Sequence, residues 1–180
     1  MVQKKVARTR GRPRAYDPDA ALKGALDAFW RQGYSGTSLE VLSDATDTET
    51  LLQTLGEELA RLRDAAPDTI DTTLIVHPHV LQDFLDYNDF LDQADGLVEV
   101  MELEGVLQVA SFHPHYQFAD SGPEDVENFT NRSPWPTLHL LREESVSRAV
   151  AAFPNPDVIV ERNVETLRKL GVDGWRKLFL

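Results

Sequence analysis

The chain has 180 residues, of which 42% are apolar and 8% aromatic, with no cysteine and a formal net charge of −12. This is enough apolar material for one globular domain with an appendage. The composition excludes disulfides, thiolate catalysis and any cysteine-held metal or cluster. No run of about eighteen apolar residues is present, so no membrane-spanning helix is expected. The basic N-terminus lacks the apolar core of a secretory signal, and the expected location is the cytoplasm.

The charge is unevenly divided. Residues 1–42 carry eight Lys/Arg against four Asp/Glu, and residues 43–180 carry ten against twenty-six. A basic head on an acidic body points to two tasks. Any contact with DNA is expected from the head, because the body repels phosphate.

In chain order, residues 1–15 read as a basic arm with no apolar periodicity, containing Lys4, Lys5, Arg8, Arg10, Arg12 and Arg14. Such an arm is either a solvated tail or a strip that follows phosphates or enters a minor groove. Residues 16–42 read as helical: Asp17 or Asp19 starts a helix carrying Leu22, Ala25, Leu26 and Phe29, and Gly33 stops it. Thr37 or Ser38 then caps a second helix with Leu39, Val41 and Leu42.

In the body, residues 43–180, Leu51, Leu52, Leu55, Leu59 and Leu62 recur at helical spacing. Thr72 to Val76 is β-branched and reads as a buried strand. A helical region runs from Val80 to Gly105 with a break near Gly96, followed by a strand from Val106 to Phe112. Pro123 to Pro136 reads as a polar loop, Thr137 to Leu141 as a third strand, and Ser145 to Phe153 and Val158 to Leu170 as helices. A short terminal helix from Trp175 follows. Strand, long helical crossover and strand together predict an α/β fold, with a small mixed, partly parallel sheet flanked by helices.

All five histidines lie between positions 77 and 139. Two strands end in matching segments, His77-Pro78-His79 and His113-Pro114-His115, and proline places each at a strand end. Parallel neighbours would gather these histidines on one rim, where open α/β sheets bind ligands. Histidines two apart could offer paired imidazoles to a divalent metal; the competing reading is hydrogen-bonded strand caps, with proline turning the rings apart. In the loop Glu127–Pro136, Asn131 and Arg132 could orient an anionic group. The alternative is a loop pinned by Trp135 in the core.

Two resemblances stand on particular residues. Gly11-Arg12-Pro13-Arg14, Ala25-Leu26-Asp27-Ala28-Phe29-Trp30, Gly33-Tyr34 and Gly36-Thr37-Ser38-Leu39 resemble the start of TetR-type transcriptional repressors. That resemblance implies DNA contacts from Arg10, Arg12 and Arg14, with Thr37 and Ser38 opening a helix-turn-helix. The expected recognition helix does not follow: the family's tyrosine, aromatic pair and lysine are absent, and Glu49, Glu57 and Glu58 would sit near phosphates, against groove docking.

From Ser43 onward the chain resembles an uncharacterised bacterial family known by a domain-of-unknown-function number, fourteen-fifteen. The resemblance rests on Val80-Leu81-Gln82-Asp83-Phe84-Leu85-Asp86-Tyr87-Asn88-Asp89-Phe90-Leu91, Ala110-Ser111-Phe112-His113-Pro114, Asn131-Arg132-Ser133-Pro134 and Pro136-Thr137-Leu138-His139-Leu140-Leu141-Arg142. It implies an intracellular domain without an established activity, and it favours a three-histidine site of His77, His113 and His139 over a four-histidine one. The family's usual start, with a cysteine-containing segment and a first strand, is replaced by the head. A hybrid joined near Leu42-Ser43, lacking one sheet edge, is therefore expected.

Two functions follow. The first is a small-ligand or metal-dependent enzyme-like domain, with His77, His113 and His139 as ligands or acid/base groups and Asn131, Arg132 and Arg142 orienting the ligand. The second is a DNA-binding regulator whose body senses a small molecule or forms a homodimer. A third outcome is a folded hybrid with neither activity.

Overall fold

The computed structural model describes residues 38–152 and 157–177. The chain divides between Gly36 and Thr37, and every described residue lies in the second unit, Thr37–Leu180. The basic arm and the expected first helix lie outside the described residues.

The described domain is α/β. Its elements are β1 (Ser38–Leu42), α1 (Thr48–Asp64), β2 (Thr72–Val76), α2 (Phe84–Val100), β3 (Leu107–Phe112), a 3-10 turn (Val126–Thr130), β4 (Thr137–Arg142), α3 (Glu143–Ala152) and α4 (Asp157–Arg176). The four strands form one mixed sheet in the order β1-β2-β4-β3. β1 pairs parallel with β2, and β4 pairs antiparallel with both β2 and β3. Strands β1, β2 and β3 therefore run the same way, with β4 reversed between the last two.

One face of the sheet is sealed by α1 and α2. Leu51, Leu55, Leu59 and Leu62 of α1 and Tyr87, Phe90 and Ala94 of α2 bury against Ile75, Leu107, Leu138 and Leu140. The period of two in the strands selects this set, and the helical stripe of α1 supplies its cover. Asp47 caps α1 by accepting from Thr50 N–H at 2.8 Å, and Asp83 caps α2 by accepting from Leu85 N–H at 2.8 Å. In α4, Gly171 has φ +67°, a backbone turn that side chains with a Cβ disfavour, and it divides the helix in two.

Several expectations are corrected. Ser38–Leu42 is a strand and not a helix, because Leu39 and Val41 alternate with exposed Glu40 and Leu42 and pair with β2. Tertiary pairing overrides the local capping signal. The sheet consequently keeps a parallel edge on β2, the edge expected to be missing. Helix α2 passes through Gly96 without a break, since Ala94 and Val98 on either side bury against the core. Packing of that kind outweighs the roughly 1 kcal/mol helix penalty of one glycine. Trp135 is 53% exposed; the loop before β4 is held instead by fully buried Asn128 and by Phe129.

Arg142 locks the far end of α1. Its guanidinium donates to the carbonyls of Leu62 (2.5 Å), Ala65 (2.6 Å) and Ile70 (3.0 Å). Two of these are carbonyls at or beside the helix C-terminus, which have no helical partner. Arg142→Ala is expected to destabilise the domain by about 1–3 kcal/mol, because partly buried carbonyls lose charged donors. Urea unfolding followed by far-UV circular dichroism measures it, and an unchanged midpoint would refute the latch.

Candidate functional site at the strand-end rim

The C-terminal ends of the three like-directed strands define one rim. His77 follows β2 and His113 follows β3, and both are fully buried. The reversed strand β4 comes between them: His77 N–H donates to Pro136 O at 3.0 Å, while His113 N–H donates to Asn131 O at 3.1 Å. The two imidazoles meet across Tyr87 of α2. His77 stacks on the Tyr87 ring at 5.9 Å between centroids and 18° between planes, and His113 lies at 5.0 Å and 34°. Tyr87 is fixed by donating its hydroxyl to Thr137 O at 2.9 Å, and burial raises its pKa.

The segment between β2 and α2 tells the two rings apart. His77 Nδ1 lies 3.2 Å from Val80 O, and His113 Nε2 lies 3.2 Å from Leu81 O. A carbonyl only accepts, so each of these nitrogens carries the proton. Leu81 takes φ +57°, a left-handed conformation that a branched side chain disfavours, and its carbonyl receives the His113 proton there. The other nitrogens differ. His113 Nδ1 accepts the His115 N–H at 3.0 Å, so that ring is satisfied on both sides. His77 Nε2 is buried with no hydrogen-bond partner.

Burial holds both rings neutral. It lowers the pKa of His77 to about 4, against the Val80 hydrogen bond that raises it, with His113 lowering it further. Burial likewise lowers that of His113, against the Leu81 carbonyl and Asp83, with His115 adding to the depression. At neutral pH His77 Nε2 is therefore an unprotonated lone pair without a donor.

The edge strand brings one more polar group. The β1–β2 register ends at Leu42 against Val76, and Ser43 N–H donates to Val76 O at 2.8 Å. Ser43 is thus the cross-strand neighbour of His77. It lies on the same face, since Leu42 and Asp44 are exposed while Ser43 is 5% exposed. Its hydroxyl oxygen accepts Ala45 N–H at 3.2 Å.

The remaining expected residues go elsewhere. His139 lies inside β4, opposite Leu74 and Ala110, between fully buried Leu138 and Leu140, and so faces the other side of the sheet. Its Nε2 meets the Thr72 hydroxyl, which itself donates to Leu140 O at 2.8 Å, and burial lowers its pKa. The structure does not bring His77, His113 and His139 together, and among the described residues no three His, Asp or Glu side chains gather to hold a metal.

Arg132 donates to Tyr116 O and Pro123 O and covers the Phe129 ring at 4.4 Å. Asn131 donates to Ser111 O at 3.2 Å. With Arg142 on the α1 carbonyls, all three of the proposed orienting residues bind backbone. Between Asp64 and Arg132 the sequence contains no Lys or Arg, so no cationic side chain of that stretch serves the rim.

Tyr87 and Ser43 stand at the rim without having been expected there. Tyr87 had a signal, three positions after Phe84 on a helical face. Ser43 had none, because only the strand register places it beside His77.

His77 and His113 bind protons less readily in the folded chain than at the ordinary histidine value near 6.5. The unfolded chain therefore takes up more protons as pH falls, and stability is lost through pH 6.5 toward 4. For His77 this amounts to about 3 kcal/mol over that window. The expected result is that His77→Gln flattens the urea-midpoint profile between pH 6.5 and 4 relative to the unmodified protein; parallel profiles would contradict a neutral buried imidazole.

Comparison with known proteins adds two findings. Residues 29–177 match the family model described as Protein of unknown function (DUF1415). A match with the HTH-type transcriptional repressor ComR of Escherichia coli (strain K12) is 51% identical over 41 residues, covering 23% of this chain and 20% of that protein. The chain thus spans about a fifth of that curated relative's length. No solved structure matches it significantly.

Proposed function

This chain belongs to the DUF1415 family, whose function is unknown, and from that premise we propose that its α/β domain is an enzyme-like module that binds a small molecule at the strand-end rim. One observation carries the reading: His77 keeps a buried, unprotonated Nε2 without a partner while the Val80 carbonyl holds its Nδ1–H. An imidazole oriented through one nitrogen and open at the other is the arrangement of a general base or a metal ligand.

The rest of the rim favours a base. The imidazole of His113 already has both nitrogens engaged, and a metal at His77 would lack neighbouring ligands among the described residues. With the Arg132 and Arg142 guanidiniums committed to carbonyls, a neutral ligand fits better than an anion. Tyr87 and Phe84 pack their rings against His113.

The test is a thermal-shift screen of neutral alcohols, amides and esters against the full chain, with elemental analysis for zinc, iron and manganese alongside. A ligand present at a hundredfold excess over its Kd adds roughly 3 kcal/mol. That gain is expected to vanish in folded His77→Gln. No hit in any class from a folded, metal-free protein would return His77 to a structural cap.

A second reading rests on the ComR match: the N-terminal part contacts DNA through Arg10, Arg12 and Arg14. The described residues restrict it. Helix α1, in the place of a recognition helix, buries Leu51, Leu55, Leu59 and Leu62 completely, and Ser38 lies in β1. Binding is therefore expected to come from phosphate contacts, with little preference between sequences. Fluorescence anisotropy with duplex DNA should show affinity that falls steeply with salt and drops when Arg12 and Arg14 become Ala. Tight binding restricted to one operator would instead require a groove-reading element.

A further inference from the structure

Ser43 and His77 directly follow the last paired residues, Leu42 and Val76, of the parallel strands β1 and β2, and the Ser43 N–H bond to Val76 O carries the register one step further, with both residues buried. Residues so placed carry their Cβ atoms about 5 Å apart. Each lacks what the other offers. The Ser43 oxygen accepts one backbone N–H, and His77 Nε2 is a buried acceptor without a donor. The third member of the chain is already in place, because the Val80 carbonyl fixes the ring through its Nδ1–H.

We propose that Ser43 and His77 form a nucleophile–base pair that takes an acyl group from a small neutral ester. The inference rests on the rim reading above and deepens it. A serine hydroxyl, a base beside it and a group orienting the base make the arrangement that activates a nucleophile, and the first contact is commonly loose before substrate arrives.

In the step, the Ser43 oxygen bonds to the acyl carbon while its proton passes to His77 Nε2. The C–O bond to the alcohol then breaks, and His77 returns the proton to the departing alcohol. Water repeats the exchange at the Ser43 ester, releasing the carboxylic acid and restoring both side chains. The acyl group must be small, since Ser43 is 5% exposed and His77 fully buried. The absence of Lys and Arg from Asp64 to Asn131 leaves no cationic side chain of that stretch to hold an acidic tail.

The experiment treats the full chain with p-nitrophenyl acetate, following nitrophenolate release, and locates the acetyl group by peptide mass mapping. A burst of release and acetylation at Ser43 are expected, with Ser43→Ala abolishing both and Ser43→Cys retaining an acetylated side chain. His77→Gln should slow acylation by roughly 100-fold or more. Circular dichroism of each variant separates loss of the pair from loss of the fold. A folded wild-type protein that carries no acetyl group at Ser43 overturns the proposal, as does unchanged acylation in His77→Gln. Should neutral ligands still stabilise the protein through His77 in that case, the rim reading survives and the nucleophile alone is lost.

Discussion

Strand β4 runs backward between two strands that run forward, and the remaining structure depends on that insertion. It supplies the Pro136 carbonyl for His77 N–H and the Thr137 carbonyl for the Tyr87 hydroxyl. At its other end it delivers the Arg142 guanidinium to the last turn of α1. A single six-residue strand thus sets the spacing of the two buried imidazoles and ties the helix layer to the sheet. Antiparallel pairing on both sides leaves β4 no freedom of register, because a shift by one residue would turn Leu138 and Leu140 outward.

The segment from His77 to Asp83 is the counterpart on the helical side. Two successive carbonyls, Val80 and Leu81, each accept from a different imidazole, and the second is presented by a left-handed Leu81. The left-handed residue is held in place by these two hydrogen bonds and by the α2 cap at Asp83. Proline at 78 ends β2 and starts this path. Strand end, loop and helix start therefore form one unit, and His77 cannot be moved without disturbing it.

Charge is arranged by a separate logic. The body carries its excess of carboxylates on exposed positions such as Asp86, Asp89, Asp92 and Glu99 of α2, where water solvates them. Its half-buried Arg142 is spent internally, serving carbonyls in place of a close partner carboxylate, with Asp71 only at 4.0 Å. The rim is left to imidazole, phenol and hydroxyl groups. That chemistry suits proton transfer and neutral ligands more than anion capture.

Much of this was determined by the sequence alone. The Leu stripe of α1, the β-branched run Thr72–Val76 and the His-Pro endings place their elements through side-chain period and proline chemistry, which act locally. The acidic body and the lack of cysteine are likewise compositional. What only the tertiary structure decided depends on pairing between distant segments. Ser38–Leu42 became a strand because β2 offered it a partner. His139 was separated from His77 and His113 because alternation along β4 sends it to the opposite face. Asn131, Arg132 and Arg142 were drawn to carbonyls far along the chain, a demand that no local pattern reveals. Ser43 stands beside His77 for the same reason: register joins residues that sequence holds more than thirty positions apart.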